Sequence, residues 1–271
     1  QMMMKAFERV HHYDQAIYEG FARKPLRYGE NPHQTGYFVP DQKPGGGSWE
    51  SLDGAGLELS YNNILDAQAA YSAVKDALLF AQPGHGACSI VKHNNPCGLA
   101  TAPTQAQAFE RAWAGDTVSS FGGVVAFSSP LTIETARLFD QKFVEVIMAP
   151  DFEDEAIAEL RRKKKKLLIL KILKLSEDKA SEDLQRTRVE GGTLVQKPDA
   201  GINEEMKTVT QVSFPDDLKK AARMGVVAAK WIKSNTIVLM RALSDGGFQM
   251  VGMGSGQPNR IDALRRLAVP K

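Results

Sequence analysis

The stretch Ser89-Ile-Val-Lys-His-Asn-Asn-Pro-Cys-Gly98 combines a β-strand signal with two adjacent ionisable side chains. The β-branched run that begins at Cys88 predicts a strand reaching Lys92, and Asn-Pro-Cys-Gly predicts the turn that ends it. Loops at strand ends often carry catalytic groups, because the sheet positions them and the loop leaves them open to a ligand. A cation directly before His93 favours a neutral imidazole that can accept a proton. Lys92 and His93 are therefore candidate catalytic residues; the alternative is a surface lysine beside a histidine that caps the turn.

Helix and strand signals alternate around this stretch. Helices are predicted over residues 62–80, 104–115, 132–140 and 152–163, and strands over residues 88–92, 124–127, 144–148 and 167–172. The helix at 104 begins with the capping pattern Thr104-Gln-Ala-Gln107. Strands separated by helices of this length indicate an α/β fold with right-handed crossovers and a mostly parallel or mixed sheet covered on both faces.

The polar residues 176–183 interrupt this alternation and predict a linker. They divide the chain into a first α/β unit, residues 1–198, and a second unit, residues 199–271. The second unit contains a helix from an N-cap at Ser213 to about Lys233, strands over residues 236–241 and 248–253, and a helix near Arg260. A short strand over residues 193–196 precedes it.

The composition is that of a globular protein: 43% of the 271 residues are hydrophobic, 24% are charged, and the net charge is +2. Near-neutral charge argues against nucleic-acid binding, and no apolar run approaches the roughly 20 residues of a membrane span. Cys88 and Cys97 are expected to be reduced, as in a cytoplasmic protein. The run Arg161-Arg-Lys-Lys-Lys-Lys166 predicts the solvated end of a helix, or alternatively a cationic rim for an anionic ligand.

Several segments together resemble one enzyme family. Lys92-His-Asn-Asn-Pro-Cys-Gly98 is similar to the Lys-His-x-x-Pro-x-Gly signature of the transformylase half of the bifunctional purine enzyme that joins aminoimidazole carboxamide ribotide (AICAR) transformylase to IMP cyclohydrolase. Further segments match that family in the same order: Leu26-Arg-Tyr-Gly-Glu-Asn-Pro-His-Gln34, Leu59-Ser-Tyr-Asn-Asn-Ile-Leu-Asp-Ala67, Ser119-Ser-Phe-Gly-Gly-Val-Val-Ala-Phe127, Val146-Ile-Met-Ala-Pro150, Lys233-Ser-Asn-Thr236 and Gly252-Met-Gly-Ser-Gly-Gln257 with Arg260. Ordered matches along the whole chain are far more specific than a single glycine motif.

The resemblance implies two cytidine-deaminase-like α/β/α units and a homodimer with active sites shared between subunits. It implies formyl transfer from 10-formyltetrahydrofolate to the 5-amino group of AICAR. The family's cyclohydrolase half and the last part of its transformylase have no counterpart here, so we expect the native chain to continue past Lys271. An alternative is a fragment or pseudoenzyme that binds the nucleotide without turning it over.

The resemblance also implies residue roles. His93 accepts the proton of the attacking amine, and Lys92 stabilises the oxyanion or keeps the histidine neutral. Substrate-binding roles fall on the residues at the remaining motif positions: Arg27, Tyr28, Asn63, Phe121, Gly122, Glu145, Asn235, Gln257 and Arg260. Arg27, Tyr28 and Arg260 are the candidates for the phosphate. Glu145 replaces an aspartate found in some members, and Phe121 could instead belong to the core.

A zinc deaminase is the second alternative, because enzymes of this fold use zinc. Their His-x-Glu and Pro-Cys-x-x-Cys elements are incomplete here: Asn95 stands where the glutamate would be, and Ala100 stands where the second cysteine would be. His93 and Cys97 are too few ligands for a catalytic zinc, so no zinc is expected. Some family members hold a potassium ion near Ser234-Asn-Thr236, and Ile232 at a ligand position argues against that monovalent cation here.

Overall fold

The structure is a computed structural model that describes residues 2–40, 49–52, 59–164, 166–175, 184–199 and 206–270. Its strands are β1 (Lys24–Pro25), β2 (Tyr37–Phe38), β3 (Trp49–Ser51), β4 (Gly86–Lys92), β5 (Asn95–Ala102), β6 (Gly123–Phe127), β7 (Val144–Ala149), β8 (Leu168–Ile172), β9 (Gln185–Val189), β10 (Gly192–Gln196), β11 (Ile237–Ala242) and β12 (Phe248–Gly254). Its helices are α1 (Met2–Ala22), α2 (Tyr61–Phe80), α3 (Gln105–Gly115), α4 (Ile133–Arg137), α5 (Asp154–Lys163), α6 (Lys219–Lys230) and α7 (Arg260–Asp262). A 3₁₀ turn (Asp216–Leu218) precedes α6, and a π-helical segment (Ala263–Ala268) follows α7.

Eight strands form one sheet in the order β11-β12-β5-β4-β6-β7-β8-β3. The pairs β6–β7 and β7–β8 are parallel, and the other neighbouring pairs are antiparallel. The predicted α/β fold is therefore confirmed, and of the two sheet types that the sequence allows the structure has the mixed one. Two small hairpins, β1–β2 and β9–β10, lie outside this sheet.

Helices cover both faces of the sheet, as the sequence predicts. On one face α2 and α6 supply Val74 and Val227 to a core that includes Val91 of β4. On the other face α3 and α5 supply Phe109 and Leu160 to a core that includes Ile90. Adjacent residues of β4 thus point to opposite faces, because strand side chains alternate. This burial on both sides makes β4 a rigid support for the residues at its end.

The turn after β4 differs from the sequence prediction. Asn-Pro-Cys-Gly does not end the strand; β4 and β5 form a hairpin whose turn residues are His93 and Asn94, and Asn95 onward is strand. Gly98 is not a turn glycine. A Cβ at Gly98 would collide with the carbonyl oxygen of Ala112 in α3, so the glycine allows that helix to approach the strand.

The helix predicted from Ser213 to about Lys233 is shorter at both ends in the structure. Pro215 caps the 3₁₀ turn, and the regular helix α6 runs from Lys219 to Lys230. Proline disfavours helical backbone at the residue before it, so Phe214 cannot continue a helix from Ser213. Helix α1 has no counterpart in the sequence prediction, and none of its residues is buried.

Strands from both proposed units lie in the same sheet, since β11 and β12 continue it beyond β5. The predicted linker, residues 176–183, lies outside the described residues. The division at residue 198 therefore stays a prediction.

No helix in the described ranges is both long enough and apolar enough to span a membrane.

Candidate functional site

The β4–β5 turn presents His93 to solvent in an unusual backbone conformation. His93 and Asn94 have φ angles of 56° and 62°. Positive φ is unfavourable for side chains other than glycine, although asparagine tolerates it. Asp66 on α2 compensates: its carboxylate accepts the backbone N–H of His93 at 3.2 Å and that of Asn94 at 2.6 Å. The buried Asp66 side chain therefore fixes the backbone of the turn that carries His93, the proposed catalytic residue.

Burial raises the pKa of Asp66 above the ordinary aspartate value. The two backbone N–H groups and the nearby His93 oppose this effect because they favour the ionised form, whereas the negative charge of Glu145 adds to it. Asp66 is consequently close to both His93 and Glu145, two residues that the sequence assigns to one site.

Asn95 fixes the other side of the turn. Its Nδ2 donates to the carbonyl oxygen of His93 at 2.8 Å, and its Oδ1 accepts the backbone N–H of Lys233 at 3.0 Å. Beyond Lys233, the side chain of Asn235 donates to the carbonyl oxygen of Gln257 at 3.0 Å. The two predicted residues Asn235 and Gln257 are thus in direct contact and connect to His93 through Asn95.

Lys92 reaches towards the start of β6. Its Nζ donates to the carbonyl oxygen of Phe121 at 2.5 Å. Gly122, at φ 75°, donates its N–H to the carbonyl oxygen of Phe143 at 2.8 Å, and a Cβ at Gly122 would stand 3.5 Å from the Lys92 amine. Phe121 is 56% exposed, so it is not a core residue. Its ring packs against Phe143, with 5.2 Å between centroids.

Asn63 and Glu145 form a second contact pair. Asn63 completes a capping box with Ser60 at the start of α2, and its Nδ2 donates to Glu145 Oε2 at 2.9 Å. The capping box fixes the Asn63 side chain, because its carbonyl oxygen is used by Ser60. Asn63 therefore orients the exposed Glu145 carboxylate.

Two clefts lie beside these residues. The His93 cleft, of about 520 Å³, is lined by Lys92, His93, Asn95, Cys97, Asp116, Val118, Ser119, Met253, Ser255 and Leu267. The Arg27 cleft, of about 540 Å³, is lined by Arg27, Asn63, Phe143, Val144, Glu145, Arg162, Lys164, Lys166, Leu167 and Leu168. Phe143 lines the Arg27 cleft and contacts Phe121 and Gly122, which contact Lys92. The predicted catalytic pair therefore belongs to one cleft and adjoins the other.

The basic run contributes to the Arg27 cleft. Arg162, Lys164 and Lys166 line it together with Arg27, while Arg162 also pairs with Glu159 and Lys164 donates to the carbonyl oxygen of Lys142. The run does form the end of a helix, as predicted, because α5 ends at Lys163. Its place in the cleft also fits the alternative interpretation, a cationic rim for an anionic ligand.

The phosphate candidates are not all brought together. The guanidinium of Arg27 lies against the ring of Tyr28, 5.0 Å from its centroid, and donates to the Tyr28 hydroxyl at 3.2 Å. Arg260, at the exposed start of α7, lines neither the Arg27 cleft nor the His93 cleft. The sequence interpretation missed Asp66 and Asn95, the two residues that hydrogen-bond to the turn. Asp66 could have been found, since it follows Asn63 by one helical turn in the segment Leu59–Ala67.

Cys88 and Cys97 are buried, reduced thiols, and burial raises the pKa of Cys88 well above its ordinary value. Cys97 lies within contact distance of the Ile90 carbonyl and the Ser120 hydroxyl. Among the described residues, no group of three or more His, Cys, Asp and Glu side chains could hold a metal ion. His93 and Cys97 therefore lack the third ligand that a catalytic zinc needs. That the protein contains no zinc stays a prediction for elemental analysis.

A mixed α/β sheet with an adjacent lysine and histidine at a strand end beside two clefts is compatible with a domain that binds small molecules. The particular family follows from sequence comparison. The model of the AICARFT/IMPCHase bienzyme family matches residues 1–271, and the chain belongs to this family.

Relatives agree with this assignment. The Bifunctional purine biosynthesis protein PurH of Persephonella marina (strain DSM 14350 / EX-H1) is 40% identical over 88% of this chain and 44% of its own length. Proteins of the same name from Bradyrhizobium diazoefficiens and Staphylococcus aureus (strain JH1) are 38% and 39% identical over 98% and 97% of this chain, and 52% and 51% of their own length. The chain spans about half the length of these curated relatives.

A solved structure, a putative formate dehydrogenase accessory protein from Desulfotalea psychrophila, overlaps 49% of this chain and 58% of its own at a TM-score of 0.32 and 9% identity. This overlap is too low to inform the fold.

Proposed function

We propose that this chain acts in purine biosynthesis as an AICAR formyltransferase, which moves the formyl group of 10-formyltetrahydrofolate to the 5-amino group of AICAR. One observation carries the proposal. A Lys-His turn is held rigidly between Asp66 and Asn95 at the edge of a cleft that adjoins a second, cationic cleft. Lys92 and His93 line one cleft and adjoin the other, and this arrangement suits a reaction between two bound substrates.

The chemistry requires a base and an oxyanion partner. The amine nitrogen of AICAR attacks the formyl carbon, and His93 accepts the proton that this nitrogen loses. Lys92 stabilises the negative charge that develops on the carbonyl oxygen. When the tetrahedral intermediate collapses, the bond between carbon and N10 of the folate breaks and N10 takes a proton. The products are formyl-AICAR and tetrahydrofolate, and no covalent enzyme intermediate is needed because both substrates are held side by side.

The two clefts can be assigned to the two substrates. The ribotide carries a phosphate, which suits the positive charges of Arg27, Lys164 and Lys166, while the Glu145 carboxylate, oriented by Asn63, can accept hydrogen bonds from ribose hydroxyls. The formyl donor then occupies the His93 cleft, where Val118, Met253 and Leu267 offer apolar contacts to its ring system.

The assembly we propose is a homodimer with shared active sites. Arg260 and the Asn235–Gln257 pair then bind the nucleotide across the subunit interface or after a rearrangement on binding. We also propose a cytoplasmic location, which the reduced state of Cys88 and Cys97 favours. Neither zinc nor a monovalent cation takes part in the proposed reaction.

A direct assay tests this function. Purified protein incubated with AICAR and 10-formyltetrahydrofolate should release tetrahydrofolate, measured by absorbance, in proportion to formyl-AICAR measured by chromatography. Omission of either substrate should abolish the signal. AICAR binding without product formation, when measured by calorimetry on the same preparation, would instead identify a nucleotide-binding fragment or pseudoenzyme.

A further inference from the structure

We infer that Asp66 is a positioning residue: it holds the β4–β5 turn in the left-handed conformation that presents His93 to the substrates. The inference rests on the proposed function for its catalytic consequence, but the turn itself can be examined without substrates. Asp66 is 8% exposed and lines neither the His93 cleft nor the Arg27 cleft, so it acts through the turn and does not touch the reacting atoms.

The turn demands an unusual backbone. Lys92 pairs with Asn95, which leaves His93 and Asn94 as the two residues of a tight hairpin turn. Two-residue turns in which both φ angles are positive strongly favour glycine, asparagine or aspartate, and His93 is none of these. The conformation therefore needs support from outside the hairpin.

The carboxylate of Asp66 supplies this support with both oxygens. Oδ2 accepts the N–H of His93 and Oδ1 accepts the N–H of Asn94. Both donors point the same way because consecutive left-handed residues turn their N–H groups to one side of the chain. An asparagine at position 66 has one acceptor oxygen, and its NH₂ group would face the second N–H. A carboxylate is thus the side chain that satisfies both donors.

The partners of Asp66 explain why its position is fixed. It lies in the well-formed helix α2, which packs against β4 and begins with the capping box of Ser60 and Asn63. The same helix carries Asn63, which orients Glu145 in the Arg27 cleft. One helix face therefore sets the location of His93 relative to the proposed nucleotide site.

The kinetic test compares variants of the turn and of its support. Asp66→Asn and Asp66→Ala should lower kcat by about tenfold to a hundredfold, the effect of losing one or two charge-assisted hydrogen bonds, with Asp66→Ala the more severe. The KM for AICAR should change by less than about threefold, because the Arg27 cleft is not altered. Gln68→Ala, which removes the hydrogen bond from the exposed residue Gln68 to Ser72 on the same helix, should leave kcat unchanged.

A second variant separates positioning from general instability. Glycine adopts positive φ readily, so Asn94→Gly in the Asp66→Asn background should restore at least about a third of the lost rate. A merely structural role of Asp66 in holding α2 would not be rescued by a change in the turn. Absence of rescue, or an unchanged kcat in both Asp66 variants, would overturn the inference.

Amide hydrogen exchange on the substrate-free protein gives an independent readout. In the peptide that covers residues 89–97, the turn amides should exchange at least about tenfold faster in Asp66→Ala than in the parent protein, whereas peptides from β7 should be unaffected. If the parent protein transfers no formyl group but this difference is found, the proposed function fails and the constraint on the turn stands. Equal exchange in both proteins refutes the constraint whatever the activity.

Discussion

The ammonium group of Lys92 donates a hydrogen bond to the carbonyl oxygen of Phe121, 2.5 Å away. This contact spans 29 residues of sequence and connects the end of β4 with the turn that starts β6. It keeps the amine close to Gly122 and Phe143, at the boundary between the two clefts. A lysine held in this way can stabilise a developing oxyanion without a large reorganisation on binding.

Lys92→Met should therefore reduce formyl transfer strongly. Loss of one oxyanion donor costs about 10²–10³-fold in kcat in other enzymes, and a methionine keeps much of the side-chain volume. Steady-state kinetics with both substrates would measure the effect. Lys220→Met, on the exposed surface of α6, is the matched control and should behave as the parent protein. A Lys92 variant with near-normal kcat would assign the oxyanion role elsewhere.

Replacement of His93 by alanine should remove the base. We expect a fall in kcat of at least about 10²-fold, the usual contribution of a general base, and a much smaller change in nucleotide affinity. Single-turnover kinetics and calorimetry separate these two quantities. His33→Ala, at an exposed histidine in a different loop, should leave both unchanged. Normal turnover in the His93 variant would contradict the proposed mechanism.

Arg27→Ala should weaken AICAR binding by about tenfold to a hundredfold, because charge-assisted contacts to a phosphate contribute about 1.5–3 kcal/mol. The loss should be much smaller for the phosphate-free nucleoside. Lys166→Ala should show the same pattern if the basic run completes the phosphate site. An equal loss for nucleotide and nucleoside would mean that these residues support the structure and do not hold the phosphate.

Arg260→Ala provides a test of the assembly within the same experiment. Arg260 lies outside the Arg27 cleft, so any phosphate contact it makes in a homodimer would serve the neighbouring subunit's site. Mixing the Arg27 and Arg260 variants should then restore some sites of full affinity. No recovery on mixing would argue for a site within one chain.

The stability of the protein should depend on pH through Asp245. The hydrogen bond from Arg111, followed by the backbone N–H of Gly247, lowers the pKa of Asp245 below the ordinary aspartate value, and the nearby His85 acts in the same direction. A depressed carboxylate pKa contributes stability above the unfolded-state pKa, and this contribution is lost as the pH falls through the folded-state pKa.

Asp245→Asn should consequently cost about 0.5–1 kcal/mol at pH 7, the range for a partly exposed ion pair. The difference from the parent protein should vanish in strong acid, where the aspartate is protonated. Urea unfolding across this pH range would measure it, with Asp14→Asn on the exposed helix α1 as the matched control. A difference that stays constant with pH would exclude the ion pair as its source.

Asp76 connects α2 to α6 through a buried ion pair. It accepts hydrogen bonds from Lys230 Nζ and Trp231 Nε1, both at 2.9 Å, and the Lys230 side chain is 8% exposed. Asp76→Ala should lower the free energy of unfolding by about 3–5 kcal/mol, since it leaves a buried ammonium group without this partner. The double variant Asp76→Leu with Lys230→Met should cost less than the single change. A double variant that is less stable than Asp76→Ala would contradict this account.

Local signals were sufficient for most helices and strands. The capping residue Thr104 marks the start of α3, and apolar spacing marks α2, because these features depend on residues within a few positions of one another. The ordered sequence motifs also indicated the family to which the chain belongs. Strand β5 was missed because proline and glycine within Asn95–Ala102 are turn signals by composition, and the close approach of Ala112 that requires Gly98 involves another element.

The sequence by itself determined an α/β protein of this family and put Lys92 and His93 at the end of a buried strand. Only the tertiary structure determined the backbone conformation of the turn that follows this strand. Positive φ at His93 is stable because Asp66, 27 residues earlier, provides acceptors at the right place. Likewise, Asn63 and Glu145 are 82 residues apart and meet only when α2 packs on the sheet. Contacts between distant residues depend on packing geometry, which a pattern of neighbouring residues does not contain.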